Sequence, residues 1–242
     1  MLLLLTLCAH VVFCPFTKVE ESFNVQAAHD LLFHGPMELA AFDHHMFPGV
    51  VPRTFLGAAA LAVAAKPIVM LLVVCGFVGG GGGGGGSPPA EDRVLALMII
   101  RILLAAAVWH GLCCVRRALS GKFGQATGTC FTVVSLMQFH IPFYAGRPLP
   151  NTFALVFVLH AWCWIIRGVQ RWDNVPATET VGSAPTALWH LPKSLLRSIQ
   201  PLASQSERIV PRMHTLIAVQ SLVVAAVFFR CDVVVLLVPV LF

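Results

Sequence analysis

The chain has 242 residues, of which 57% are hydrophobic and only 11% are charged. Soluble domains carry about 25% charged residues, so sixteen basic and eleven acidic side chains are too few to cover a globule of this size in water. The net charge is +5, but the basic residues are scattered among apolar runs and form no stripe that could follow a phosphate backbone. The composition therefore excludes a soluble enzyme, a disordered chain and a nucleic-acid-binding protein, and it predicts an integral membrane protein.

Six apolar segments are candidate membrane spans, although the first two are irregular. They are 1–14, 54–78, 93–115, 123–145, 151–166 and 215–242. A helix needs about 20 apolar residues to cross a bilayer, so the first segment is short, and we interpret it as a signal anchor or as a span that has lost its natural start. In the second segment, Lys66–Pro67 should kink or split the helix, because proline removes a backbone hydrogen bond.

Polar segments divide the chain further. The first loop is 15–53, a linker with eight consecutive glycines occupies 79–92, and a polar insert or linker without stable order is predicted at 167–214. Short connections are predicted at 116–122 and 146–150. We expect 1–166 to form one N-terminal unit and 215–242 to form a further span.

The orientation of the spans stays open. The positive-inside rule places the basic segments 116–122 and 167–212 in the cytosol and the acidic loop 15–53 on the opposite side. Counting spans from that loop places 116–122 on the far side as well. One segment between 54 and 115 would then be re-entrant or interfacial.

Residues 17–33 have a helical pattern, with apolar side chains four residues apart. Thr17 and Glu20 have the spacing of a capping box, which gives Glu20 a structural explanation. Glu21 points about 100° away around the helix and has no such role. We predict an interfacial helix at 18–33 whose acidic side chains face water.

Several polar residues within the spans have structural explanations. We expect His110, His140 and His160, which lie in different spans and share no motif, to be hydrogen-bonded packing residues. Arg147 precedes two prolines and is interpreted first as a turn residue and second as a lipid-headgroup contact. Arg101 is interpreted as a packing or lipid-phosphate contact. The eight cysteines lie in or beside apolar runs without a C-x-x-C motif, so we predict buried thiols without a zinc site.

The first loop also holds residues suited to glycosyl transfer. This reaction needs a carboxylate that takes the proton of the acceptor hydroxyl, and positive charge around the phosphate leaving group. Glu20 and Glu21 are candidate carboxylates. The other candidates follow later in the loop: Asp43, His44, His45 and Arg53. On the residues alone, a solvated loop face explains the same cluster.

Three stretches resemble a known enzyme family. They are CPFTKVEESFNVQAAHDLLFH at 14–34, FDHHMFPGVVPRTFLG at 42–57 and SLMQFHIPFYAGRPLPNTFALVFVLHAW at 135–162. They resemble the dolichyl-phosphate-mannose-dependent α-1,6-mannosyltransferases of the endoplasmic reticulum, which belong to glycosyltransferase family 22. The resemblance covers the N-terminal half of such an enzyme.

The resemblance implies an all-α, polytopic membrane helix bundle, a partial GT-C fold. It implies a multi-pass protein of the endoplasmic reticulum membrane that transfers mannose from dolichyl-phosphate-mannose to a dolichol-diphosphate-linked oligosaccharide in N-glycan assembly. Glu20 or Glu21 would be the catalytic base. Asp43, His44 and Arg53 would bind donor or acceptor, with neither a metal nor a cofactor required.

Two alternatives remain at this point. One is a catalytically inactive, truncated fragment of such an enzyme. The other is a small membrane transporter, which internal repeats would favour, and the sequence contains none.

Overall fold

The computed structural model describes residues 1–42, 54–77, 90–173 and 213–229. Within these ranges the chain forms eight α-helices and two short 3₁₀ turns, Val19–Glu21 and Leu39–Ala41, and no β-strand. The helices are α1 (Leu2–Phe13), α2 (Ser22–Phe33), α3 (Leu56–Val74), α4 (Ala90–Phe123), α5 (Gln125–Met137), α6 (His140–Tyr144), α7 (Pro150–Asp173) and α8 (Met213–Phe228).

Three of these helices are long and apolar enough to cross a bilayer. Their apolar spans are Leu56–Val74 in α3, Asp92–Phe123 in α4 and Pro150–Gly168 in α7. Helices α1 and α8 are apolar but shorter, as predicted for the first segment. The predicted all-α polytopic class is confirmed.

Helix α4 lies at the centre of the bundle and packs against α1, α3, α5 and α7. Its first half joins α2 and α3 in one apolar cluster, and its middle packs on α1 in another. Gly146, just before α7, lies beside Arg101, whereas Leu159 of α7 lies beside Gly111. Helices α4 and α7 therefore run in the same direction.

Two predicted boundaries are wrong. Residues 116–122 are not a connection, because α4 continues to Phe123. This segment contains no proline and several good helix formers, and Gly124, at φ +91°, ends the helix where the chain turns. The predicted span 123–145 is two helices, since Pro142 lacks the N–H that would bond to the carbonyl of Gln138.

The predicted break at Lys66–Pro67 does not split α3, which is continuous from Leu56 to Val74. Pro67 removes one hydrogen bond of the ladder, to the carbonyl of Val63. Both residues lie on the exposed side of the helix, where no neighbouring described helix has to follow a bend. The remaining bonds of the ladder hold the helix together.

The predicted interfacial helix is present as a 3₁₀ turn followed by α2, but its environment differs from the prediction. Ala27, Ala28 and Leu32 of α2 lie in the bundle core. Asp30 is also buried, so the acidic side chains of this segment do not all face water. Helix α2 therefore forms part of the bundle.

Several predicted segments lie mostly outside the described residues. These are the glycine-rich linker, the polar insert beyond the end of α7 at Asp173, and the chain that follows Phe229. Within the predicted span 215–242, the structure describes α8, which ends at Phe228.

Candidate active site

The two adjacent glutamates of the first loop have opposite environments. Glu21 is 0% exposed, whereas Glu20 is exposed. Glu21 also makes the cap that the sequence assigns to Glu20, since its Oε1 accepts a hydrogen bond of 3.4 Å from the backbone N–H of Lys18. The prediction that Glu21 has no capping role is therefore wrong.

Glu21 forms a buried ion pair with Arg147, whose Nη1 contacts the Glu21 Oε1 atom. Arg147 is 3% exposed, and its guanidinium carbon lies 4.2 Å from the centre of the Phe143 ring. Among the described residues, Glu21 Oε2 and Arg147 Nε have no hydrogen-bond partner. Arg147 is thus more than a turn residue, because it neutralises the buried carboxylate of the first loop.

Arg101 of α4 holds the same two segments from the other side. Its Nη1 donates hydrogen bonds of 2.6 and 2.7 Å to the carbonyls of Cys14 and Pro15, and its Nε donates one of 3.0 Å to the carbonyl of Gly146. Arg101 is 1% exposed. Of the two predicted roles, packing and lipid-phosphate contact, the structure shows packing.

Further contacts join the first loop to the segment between α6 and α7. The side-chain amide of Asn24 donates a hydrogen bond of 2.7 Å to the carbonyl of Pro148. The Lys18 ammonium lies 5.2 Å from the centre of the Phe143 ring and 5.8 Å from that of Tyr144. The first loop is therefore fixed against residues more than 120 positions later in the sequence.

A cavity of about 390 Å³ opens beside Glu20. Four other polar or aromatic residues line it, and the remaining wall is aliphatic. The polar lining consists of Glu20, His140, Tyr144, Asn151 and Thr152. A pocket with a largely apolar wall and a few convergent polar groups is typical of a small-molecule site. Among the described residues, Glu20 is the one acidic side chain that lines this cavity.

Not all predicted site residues can be placed. Asp43, His44 and Arg53, together with His45, lie outside the described residues. Phe42, directly before them, is buried, and Phe55, shortly after them, packs edge-to-face on Phe23 of α2 with ring centres 5.4 Å apart. The chain shortly after this stretch therefore packs on α2, and the residue before it is buried in the bundle.

Sequence reasoning singled out Arg101 and Arg147 without their partners, and it missed Asn24. Arg101 gave a signal in the sequence, since an arginine within an apolar run is costly unless it has partners. The sequence does not show which residues these arginines contact. Arg147 lies 126 residues from its partner Glu21, and Arg101 lies 87 and 45 residues from its partners Cys14 and Gly146.

The comparison with protein-family models identifies the chain. The model of the Alg9-like mannosyltransferase family matches residues 1–242. The chain belongs to this family. No solved structure matches it.

Several curated relatives of the family share the name Dol-P-Man:Man(7)GlcNAc(2)-PP-Dol alpha-1,6-mannosyltransferase. The Arabidopsis thaliana protein is 41% identical over 62% of this chain and 27% of its own length. The Drosophila melanogaster protein is 37% identical over 70% of the chain and 23% of its own length. The Saccharomyces cerevisiae protein is 30% identical over 69% of the chain and 32% of its own length.

The chain thus covers less than a third of the length of these relatives. The predicted family is confirmed, and this Alg9-like chain corresponds to the N-terminal part of its relatives. Glu20, Glu21 and Arg147 all fall within the part of the fold that the structure describes.

Proposed function

We propose that this Alg9-like chain carries the catalytic first loop of a dolichyl-phosphate-mannose-dependent α-1,6-mannosyltransferase of the endoplasmic reticulum membrane. Its donor would be dolichyl-phosphate-mannose, and its acceptor the Man(7)GlcNAc(2)-PP-Dol that the names of its relatives specify. The observation that carries the proposal is the exposed Glu20 carboxylate beside a cavity. The adjacent residue, Glu21, is fixed by a buried ion pair with Arg147.

Glu20 is the better candidate for the catalytic base. A general base must reach the hydroxyl that it deprotonates, and Glu20 lines an open cavity. Glu21 is fully buried and already paired with Arg147, so its carboxylate cannot approach a bulky acceptor. The structure therefore favours one of the two glutamates that the sequence left open.

The proposed reaction is a single in-line displacement. The 6-hydroxyl oxygen of an acceptor mannose attacks the anomeric carbon of the donor mannose, and Glu20 takes the hydroxyl proton. The bond from the anomeric carbon to the phosphate oxygen breaks, and dolichyl phosphate leaves with the electron pair. The β-linked donor thereby gives an α-linked product, as the family resemblance implies.

The cavity supplies groups that suit a sugar. His140, Asn151 and Thr152 can exchange hydrogen bonds with hydroxyl groups, and the Tyr144 ring offers an aromatic face. Thr152 itself is fixed, since its hydroxyl donates a hydrogen bond of 3.2 Å to the carbonyl of Tyr144. We assign this cavity to the acceptor sugar that Glu20 activates.

The leaving phosphate needs positive charge. Arg147 and Arg101 are committed to Glu21 and to backbone carbonyls. Lys18 is exposed and lies near the cavity, over the rings of Phe143 and Tyr144. We assign Lys18 to the donor phosphate, and we retain Asp43, His44 and Arg53 as further donor or acceptor contacts.

A chimera tests the proposal. The aligned N-terminal part of the Saccharomyces cerevisiae relative is replaced by this chain, and the chimera is expressed in yeast cells that lack the relative. We expect the lipid-linked oligosaccharide profile to gain the species that is one mannose larger than Man(7)GlcNAc(2). The same chimera with Glu20→Gln should accumulate Man(7)GlcNAc(2).

Glu38→Gln is the matched control, because Glu38 is an exposed glutamate of the same loop and does not line the cavity. The control should give the product of the unchanged chimera. A membrane-inserted chimera without product, or full product from the Glu20→Gln chimera, would contradict the proposal.

A further inference from the structure

Helices α4 and α7 bring together two histidines and a cysteine in a cluster that the proposed transfer reaction does not use. In this cluster, His110 and Cys114 come from α4 and His160 comes from α7, with one ligand atom of each lying within 4.8 Å of the others. We propose that His110, Cys114 and His160 bind a zinc ion that ties α4 to α7.

The spacing of the residues fits this role. His110 and Cys114 are four residues apart, so both side chains lie on the same face of α4. His160 faces them from α7, its ring stacked on that of His110 with centres 5.2 Å apart. Metal sites in helical bundles are built in this way, from side chains on facing helices.

The hydrogen bonding of His160 prepares it as a ligand. Its Nδ1 lies 2.7 Å from the carbonyl of Val156, which fixes the proton on Nδ1, so Nε2 carries a lone pair. Metal-binding histidines typically donate their second N–H to a carbonyl or carboxylate in this manner. This Nε2 lies within hydrogen-bond distance of His110 Nδ1, at 3.1 Å, and a metal ion would take the place of the proton between them.

The distances are close to those of a tetrahedral site. With Zn–N bonds of about 2.0 Å and a Zn–S bond of about 2.3 Å, two ligand nitrogens lie about 3.3 Å apart and a sulfur about 3.5 Å from each nitrogen. The two histidine nitrogens are 3.1 Å apart, and the Cys114 sulfur lies 3.8 and 3.9 Å from the two nitrogens of His110. All three ligand atoms lie within 4.8 Å of one another, so shifts of at most about 1.3 Å complete the geometry.

The ligand set also identifies the class of metal. Imidazole and thiolate are the donors that zinc prefers in proteins. On binding, the Cys114 thiol releases its proton to solvent and the thiolate sulfur bonds the metal. Three protein ligands leave the fourth position for a water molecule. His110 is exposed, so the described part of the chain does not enclose the ion.

This site is separate from the candidate active site. His110 follows Arg101 by nine residues along α4, a rise of about 14 Å, and Arg101 contacts the first loop. The zinc ion would therefore act on the packing of α4 against α7 and have no part in the transfer of mannose. Failure of one proposal leaves the other standing.

The probe for the test is Co²⁺ or Zn²⁺ added to the metal-free chain in detergent. We expect one equivalent of Co²⁺ to give the charge-transfer absorption of a cobalt–thiolate bond, and Zn²⁺ to displace it. Cys114→Ser should abolish this absorption. His160→Gln should weaken metal binding by at least about tenfold. Even the loss of a residue that only hydrogen-bonds to a metal ligand lowers affinity by about tenfold or more.

Cys163→Ser is the matched control. Cys163 also lies on α7 close to Cys114, but its thiol already donates a hydrogen bond to the Cys114 carbonyl over 3.4 Å, which serine can keep. This variant should bind cobalt like the unchanged chain. Absence of a cobalt–thiolate band in the unchanged chain would overturn the proposal, as would equal bands in the Cys114→Ser and Cys163→Ser variants.

A second measurement does not depend on the folding of any variant. In the unchanged chain, Zn²⁺ should protect Cys114 from alkylation by a maleimide and leave the exposed Cys130 reactive, as read by peptide mass spectrometry. Equal alkylation of Cys114 with and without Zn²⁺ would also overturn the proposal.

Discussion

At the scale of single residues, the site depends on how two buried charges are compensated. Moving a carboxylate out of water costs several kcal/mol unless it is paired. In the ion pair of Glu21 and Arg147, each charge offsets the desolvation cost of the other. Arg147 gains further from the face of the Phe143 ring. The pair fixes the backbone at residue 21 and so determines where the adjacent Glu20 carboxylate lies.

Breaking this pair from the arginine side should destabilise the chain strongly. Arg147→Met leaves the Glu21 carboxylate buried without a counter-charge, and we expect the free energy of unfolding to fall by about 3–5 kcal/mol. Thermal unfolding of the detergent-solubilised chain, followed with a thiol-reactive dye, measures the change.

Arg117→Met is the control, because Arg117 is an exposed arginine of α4. The double variant Glu21→Gln with Arg147→Met should regain part of the stability, since it carries no buried charge at this position. If Arg147→Met and Arg117→Met unfold at the same temperature, the buried pair does not hold the loop.

The sequence predicts the residue types of this site better than their roles. The two glutamates, the first loop and the family were accessible from the residues at 14–57 alone. The sequence did not show that Glu21, and not Glu20, makes the cap and is buried. Local helix geometry assigns the cap to Glu20, and only the distant Arg147 draws Glu21 inward. Tertiary partners override local rules where a charge must be buried.

At the scale of helices, close approach to α4 positions the other elements. A Cβ atom on Gly146 would lie 2.5 Å from Val11 Cγ2 of α1, and one on Gly111 would lie 2.9 Å from Leu159 Cβ of α7. Membrane helices associate by van der Waals packing of small residues, which allow backbones to approach closely. Gly111 therefore sets the distance of α7 from α4, and Gly146 sets the distance of α1 from the segment before α7.

Gly111→Ala tests the approach of α4 to α7. The new methyl group meets a Cβ atom, which cannot rotate away, so the helices must separate, and we expect a loss of about 1–3 kcal/mol in the free energy of unfolding. Ala64→Val, on an exposed position of α3, is the control and should change little. Equal thermal unfolding of both variants would show that the contact at Gly111 is not tight.

Helix boundaries were the weaker part of the sequence-based prediction. Apolar runs located the long helices. They do not show that the basic stretch 116–122 continues α4, where Ala118 is buried against Cys163 of α7. Nor do they show that the run at 123–145 contains a break. The continuation of α4 agrees with contacts made by the folded bundle, and the break follows from Pro142. Hydropathy along the chain reports neither.

At the scale of the whole molecule, two segments that lie far apart in the sequence meet at one place in the described bundle. The first loop and the segment before α7 meet at Glu21–Arg147, at Asn24–Pro148 and around Arg101. The cavity beside Glu20 opens at this junction. The part of the chain that matches the N-terminal part of its relatives thus contains a candidate site whose surrounding segments are fixed by these contacts.

The measurement that tests this account most directly is the initial rate of mannose transfer by membranes that carry the yeast chimera, with Glu20→Gln compared with Glu21→Gln. We expect Glu20→Gln to lower the rate at least about 100-fold, the lower range for loss of a general base, without lowering the amount of folded protein. Glu21→Gln should instead lower the amount of folded protein. A Glu20→Gln chimera that transfers mannose at the unchanged rate would contradict the account.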